Sequence, residues 1–397
     1  MEAVGDLQGP RRLGAYVVGR KLGAGGMATV YAARHQGIHG HRLVALKVLS
    51  PAISAEDPEH RSFVREAMLA MRLEHPHIVR TYDVGDVEGR MYLAMELVHG
   101  PSLASCMKAA AGAIPLPIAS RIILDAASAL HAAHELEDPE RGHLGVVHQD
   151  VSPHNLLIGY DGKVKLVDFG VARLASLEGS RTESLRGKPS YVSPEQVHGK
   201  NIDRRTDVFA LGIVLWELLT GRRLFRRETS AATYIAVLND PVPDARGVNP
   251  SVPAPIAAVV AGALERERDR RFATAEELAL TLEAACEESS FAPASHEELA
   301  RWTRQLVPPA LTPADLEREI ALEAAPPFTG GAPADPAAPT VVHGLVPELD
   351  LPPAPSSSRA PQAPPAPLPE VPALELPPPS QRGAPAARTS APSLGAG

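Results

Sequence analysis

The stretch Leu22-Gly-Ala-Gly-Gly-Met-Ala-Thr-Val30 sets three glycines between two strand-like runs, YVVGRKLG and TVYAARH. Without a Cβ, glycine lets backbone amides come close to phosphate oxygens, and a strand on either side separates this loop from the strand-to-helix loop of dinucleotide sites. In Val44-Ala-Leu-Lys47 a cation sits inside an apolar strand. A lysine there needs an acid or a phosphate beside it, and Glu66, in FVREAMLAM, is the natural partner. In His148-Gln-Asp-Val-Ser-Pro-His-Asn155, Asp150 and Asn155 stand five apart in a proline-containing loop. Together they offer a base for a hydroxyl proton and an oxygen ligand for a hard metal ion. Asp168, at the head of Asp168-Phe-Gly170, adds a carboxylate suited to Mg²⁺. Ser193-Pro-Glu195 follows, then Asp207 at the start of an apolar run, with Arg271 a candidate ion-pair partner for Glu195. Taken singly, these patterns also fit a flexible hairpin, a surface ion pair or a polar turn.

The surrounding periodicity supplies elements to hold them. Strand-like runs cover YVVGRKLG, TVYAARH, RLVALKVLS, IVRTYDVG and RMYLAMELV, with a helical stretch from about Asp57 to Leu73 between the third and fourth. After Gly100 the pattern turns helical: Ile118–His134 is amphipathic, and Asp207–Leu219 is apolar enough to be buried on all sides. A small sheet domain joined to a larger helical one leaves a cleft, the usual place for a ligand. Past the helix Thr274–Cys286, Ser295 with Glu298 has capping-box spacing ahead of Leu299, Trp302 and Leu306, and Thr312-Pro313 precedes Leu316 and Ile320. These two short helices are expected either to pack on the larger lobe or to recruit a partner.

Composition removes other classes. Of the 40 prolines, 23 fall in residues 307–397, where Phe328 is the sole aromatic, so that tail buries too little apolar surface to offset its ordering entropy. The net charge of −8 argues against a nucleic-acid or membrane-surface binder. Two cysteines, Cys106 and Cys286, cannot build a disulfide framework or a structural zinc site, which suits a reduced cytoplasmic setting. The longest apolar runs, such as Ile256–Leu264, are too short to span a membrane, and the acidic, polar N-terminus does not read as a signal peptide.

Together the patterns say more than each alone. The order is glycine loop, lysine, glutamate, His-x-Asp with Asn five on, Asp-Phe-Gly and Ser-Pro-Glu, with 18 residues from Asp150 to Asp168 and 27 from Asp168 to Glu195. The chain resembles the eukaryotic-like serine/threonine protein kinases, and GxGGMATVY with PSYVSPEQ is similar to their bacterial branch, over roughly residues 13–284. The resemblance implies an α+β, two-lobed kinase fold: a five-stranded β lobe with one helix (13–98) and a mainly helical lobe (99–284). Residues 1–12 are then an N-terminal tail, 285–325 a short helical extension and 326–397 a disordered Pro/Ala-rich tail. It further implies ATP and Mg²⁺, or Mn²⁺ in its place, as the bound groups. Gly23, Gly25 and the amides around Gly26–Ala28 would cover the phosphates, with Leu22 and Ala24 also at the nucleotide; Val30, Ala45 and Leu157 would sandwich the adenine. Met95 would be the gatekeeper, with Glu96 and Val98 lending hinge backbone. Lys47, held by Glu66, would grip the α- and β-phosphates, Asn155 and Asp168 would ligate the metal, and Asp150 would accept the substrate's proton. His148 and Phe169 would pack the core without carrying protons.

This chain departs from the family pattern at four positions. Ala28 stands for the third loop glycine, Gln149 for the arginine before the catalytic Asp, Ser152 for the lysine two after it, and Lys188 for the threonine of Gly187-Lys-Pro-Ser-Tyr191. Without the arginine that pairs with a phosphorylated activation segment, activity should depend little on phosphorylation there. The last two look like one exchange, in which Lys188 supplies the cation that position 152 lacks; the alternative is a solvated substrate-docking charge. Protein serines and threonines are the expected acceptors, because Val151-Ser-Pro-His154 lacks the pattern of tyrosine-directed relatives, and Ser176, Ser180, Thr182 and Ser184 are candidate autophosphorylation sites. The competing readings are a pseudokinase scaffold and a small-molecule phosphotransferase. The proline-rich tail is either a linker or a dock for a cytosolic partner.

Overall fold

The computed structural model describes residues 11–323 apart from 38–39, 51–52, 54–56, 88, 141, 169–187 and 200–201. Six strands make one antiparallel sheet: β1 (Arg11–Leu13), β2 (Tyr16–Ala24), β3 (Ala28–Gly37), β4 (Gly40–Leu49), β5 (Thr81–Val87) and β6 (Arg90–Glu96), in the order β1-β2-β3-β4-β6-β5. Five are the runs expected from the sequence. The sixth, β1, is three residues long and gains its ladder by pairing Leu13 with Tyr16 and Arg12 with Val17; a segment that short has no periodicity to read. Alternation along the strands gives the sheet two apolar faces. One carries Tyr16, Val18, Ala33, Val44, Leu46 and Ala94. Ala45 and Met95, with Val30 beside them, lie in a separate cluster.

Helix α1 (Pro58–Ala70) begins with a proline, whose fixed φ suits a first helical turn, and carries Glu59 near the positive end of the helix dipole. Phe63 and Ala67, one turn apart, pack on Leu49 and Leu93 of the sheet. Phe63 is only 1% exposed, and burying such a ring is worth roughly 1.5–3 kcal/mol. Glu66 therefore has a fixed platform.

The larger lobe holds α2 (Leu103–Ala110), α3 (Leu116–His134), the β7 (Glu137–Asp138) and β8 (Gly142–His143) pair, the β9 (Leu156–Ile158) and β10 (Val164–Leu166) pair, α4 (Pro194–His198), α5 (Arg205–Thr220), α6 (Ser230–Asn239), α7 (Ala245–Val248), α8 (Ala254–Ala263) and α9 (Ala275–Glu288). In α5 every residue from Thr206 to Leu219 is buried, which is why it shows no polar stripe in the sequence. It forms the centre around which α3, α8 and α9 pack.

Two more helices follow, α10 (His296–Leu306) and α11 (Pro313–Glu323). The Ser295–Glu298 capping box forms in both directions: Ser295 Oγ accepts from the Glu298 N–H at 3.2 Å, and Glu298 Oε2 accepts from the Ser295 N–H at 2.8 Å. Their destinations differ. Leu299 of α10 is buried in the larger lobe, whereas Leu316 and Ile320 of α11 lie against Val17 and Ala32 of the small-lobe sheet.

Candidate active site

Lys47 lies on β4 opposite Val30 of β3 and Leu93 of β6, and is 8% exposed. Its Nζ donates to Glu66 Oε1 at 2.7 Å and to Asp168 Oδ1 at 2.8 Å, so strand, helix and the segment after β10 meet on one ammonium. Burial works against the lysine's charge, but the two carboxylates outweigh it and hold its pKa above the ordinary value. For Asp168 burial would raise the pKa, yet the Lys47 charge and hydrogen bond prevail and hold it below the usual carboxylate range. Glu66 shifts up, chiefly by burial and then through the nearby Asp168 and Asp150 carboxylates, against the pull of Lys47. Asp168 has left-handed backbone (φ 57°), unusual for a residue with a side chain; its side chain is 43% exposed.

The loop before β9 is held from beneath. Asp207 is fully buried at the start of α5 and accepts three hydrogen bonds, from the His148 N–H, the Gln149 N–H and His134 Nε2, each at 2.8 Å. Gln149 has φ 63°, and its carbonyl accepts from Gln196 Nε2 at 2.8 Å. His148 joins Val167 O through Nε2 (3.1 Å), and its Nδ1 accepts from the Asp150 N–H (3.2 Å). It is a buried strut. Asn155 Nδ2 donates to the Asp150 carbonyl at 2.9 Å and to Asp150 Oδ2 at 3.0 Å. Asn155 Oδ1 is the atom of that amide that could ligate a metal ion. It and the Asp168 carboxylate are hard oxygen donors, the type that Mg²⁺ takes.

Lys188 Nζ donates to Ser152 Oγ at 3.0 Å and to Asn155 Oδ1 at 3.3 Å. The two exchanged positions are thus in direct contact. His154 nearby has its pKa lowered by burial and then by the Lys188 and Arg223 charges.

The other residues that the kinase resemblance assigns to the nucleotide are brought together only in part. Ala45 and Met95, 8% exposed each, cluster with Val30, Val98 and Val167; Leu157 is absent from that cluster and lies on β9 paired with Lys165. Glu96 donates its N–H to Arg80 O at 2.8 Å, so any ligand contact from its backbone runs through the carbonyl, while its side chain pairs with Lys165 at 2.7 Å. Between β2 and β3 the loop is closed by Gly25 N–H to Ala28 O at 2.8 Å. A Cβ added to Gly23 or Gly26 would meet nothing within 4 Å, so the protein's own packing does not demand those glycines and the space over the loop stays open. Leu22 is 46% exposed at its entrance. Phe169, Gly170, Ser176, Ser180, Thr182 and Ser184 lie outside the described residues.

Glu195 and Arg271 pair at 2.9 Å, with the guanidinium also 4.8 Å from the Phe209 ring centre. Sequence reasoning missed the roles of Asp207, His134 and Gln196. One signal was available: a carboxylate heading an all-apolar helix must find donors.

The protein kinase domain family matches residues 16–281. The chain belongs to the protein kinase family. Among its relatives, the tyrosine-protein kinase MasK of Myxococcus xanthus is 39% identical over 275 residues, 68% of this chain and 43% of MasK. The serine/threonine-protein kinase PrkC of Bacillus subtilis is 36% identical over 280 residues, 70% of this chain and 42% of PrkC. The crystal structure of the Mycobacterium tuberculosis PknI kinase domain superposes with a TM-score of 0.54 at 30% identity, covering 71% of this chain and all of that domain. The chain thus spans less than half the length of the two curated relatives. Among the described residues no helix of this kinase is long and apolar enough to cross a membrane.

Proposed function

We propose that this kinase moves the γ-phosphoryl group of ATP to serine and threonine hydroxyls of proteins, itself among them, in a cytoplasmic setting. The observation that carries the reading is the Lys47 ammonium bonded at once to Glu66 and Asp168, with Asp150 and Asn155 fixed together nearby. In that arrangement Lys47 holds the α- and β-phosphates, and the glycine loop closes over them with backbone amides. Asn155 and Asp168 would hold Mg²⁺, which supplies neutralisation of phosphate charge. Asp150 orients the acceptor hydroxyl and takes its proton as the oxygen bonds to the γ-phosphorus; the bond from that phosphorus to the bridging β,γ-oxygen breaks, and ADP leaves. Positioning and charge account for most of the rate in such a transfer. Val30, Ala45 and Leu157 enclose the adenine, with Met95 behind it and Glu96 and Val98 along its edge.

Lys188 completes the charge. Its contacts with Ser152 and Asn155 favour a role beside the transferred phosphoryl over a solvated docking charge. The domain limits follow the same reading: a catalytic unit over 13–284, an extension over 285–325, and a proline-rich tail from 326 that docks a cytosolic partner. The MasK likeness favours testing a tyrosine acceptor as the second reading. Incubating the full chain with labelled Mg·ATP and identifying the phosphorylated amino acid decides between them. Phosphoserine and phosphothreonine are expected; phosphotyrosine alone would overturn the assignment.

A further inference from the structure

The chain beyond α9 is bonded in turn to the larger lobe, the hinge and the smaller lobe. On the larger lobe Ala294 N–H donates to Pro117 O at 2.9 Å, Arg121 Nε donates to Ala294 O at 2.7 Å, and His296 Nε2 meets the buried Asp125 Oδ2 at 3.1 Å. Packing is so close that a Cβ on Gly162 would lie 1.8 Å from His296 O. Tyr160 Oη then donates to Val307 O at 2.9 Å. At the hinge His99, next to Val98, joins Leu311 O through Nε2 at 2.7 Å, its ring edge-on to Tyr160 with centres 4.9 Å apart. On the smaller lobe Ile320 is 1% and Leu316 7% exposed, packed on Val17, Ala32, Leu43 and Leu97. Arg20 and Glu319 add an ion pair at 3.4 Å.

Where α11 lands matters for the nucleotide. Ala32 is two residues from Val30 and Leu43 two from Ala45, so strand alternation puts α11 on the face that carries the proposed adenine-contacting residues, displaced toward the hinge. Leu97 is shared: it packs against both the α11 cluster and the Ala45–Val79–Met95 cluster. Strand β2, whose end becomes the glycine loop, is touched at Val17 and Gly19; a Cβ on Gly19 would lie 2.5 Å from Ile320 Cγ1.

We infer that Leu316 and Ile320 are positioning residues for ATP: α11 braces the glycine-loop strand and the hinge against the larger lobe, and so sets nucleotide affinity from outside the cleft. The inference rests on the cleft being the ATP site. A helix that merely covered apolar sheet would stabilise the fold and leave nucleotide affinity alone.

Full-length variants separate the two. Ile320→Asp removes the brace from one side and Gly19→Val pushes it off from the other. Each is expected to raise the ATP Kd and KM by roughly fivefold or more, within the usual range of coupling between sites, with kcat within about twofold of wild type. In a paired test, Gly19→Ala, which overlaps Ile320 Cγ1, and Ile320→Ala, which removes the packing atoms, each weaken ATP binding, and because both act through one contact the double variant weakens it no more than the larger single change. This pair decides the matter even where Ile320→Asp fails to fold. Single variants with unchanged ATP Kd, or single effects that multiply in the double variant, overturn the inference. Lys47→Ala measured alongside tests the cleft itself: if it leaves ATP affinity and transfer intact, the site assignment fails; if it abolishes transfer while the α11 variants do nothing, only the brace fails.

Discussion

At the scale of residues, backbone and helix place the charges of the site. Lys188 is the sharpest case, because its ammonium touches both Ser152 and Asn155. Lys188→Ala should lower kcat at least tenfold with ATP affinity near wild type if, as proposed, the lost charge acts on the transferring group. Restoring the family order with Ser152→Lys and Lys188→Thr together should recover turnover that Lys188→Thr alone loses; equal activity in all three forms would remove Lys188 from the chemistry. A pH dependence follows from His75. Burial, then the charges of His77 and Lys165, lower its pKa, and its Nδ1 accepts the His77 N–H at 3.2 Å, which a protonated nitrogen cannot do. A histidine that binds its proton less readily when folded contributes stability above its unfolded value of about 6.5 and loses it as pH falls below that. Thermal midpoints at pH 7.5 and 5.5 should therefore differ less in His75→Asn than in wild type.

At the scale of elements, α1 and α5 do the positioning. Phe63→Ala should cost roughly 3–5 kcal/mol in chemical denaturation, and because Glu66 rides on the same helix it should also weaken ATP binding. Asp207→Ala leaves two backbone N–H groups and His134 without their acceptor, each unmet donor costing about 1–3 kcal/mol; Asp207→Asn, which keeps an acceptor oxygen, should retain more of both stability and rate. Much of this was legible in the sequence. Alternation located five strands, the glycine loop and Lys47 declared their own needs, and Ser295 with Glu298 announced α10, because caps and periodicity are local physics. Three things were not. The length of β1 is below any period. The lattice of donors around Asp207 brings together residues 134, 148, 149 and 207 by long-range packing. The landing of α11 on β2 and β3 also depends on tertiary contacts that no local pattern encodes, although Gly19 inside a strand was a hint of close approach.

At the scale of the molecule, the chain combines a kinase unit with an extension running from the larger lobe across the hinge to the smaller one. Gln149 donates its N–H to Asp207 and offers no guanidinium to a phosphate, so replacing Ser176, Thr182 and Ser184 together by alanine should leave the rate on an added protein substrate within about threefold of wild type. A large loss would mean another cation reads that segment. Transfer from ATP through Asp150 is tested most directly by incorporation of labelled γ-phosphate from Mg·ATP by wild type beside Asp150→Asn, both full length and folded. Steady incorporation by wild type on serine or threonine and background in the variant is the predicted result. Equal labelling of both forms, or none in either, would contradict it.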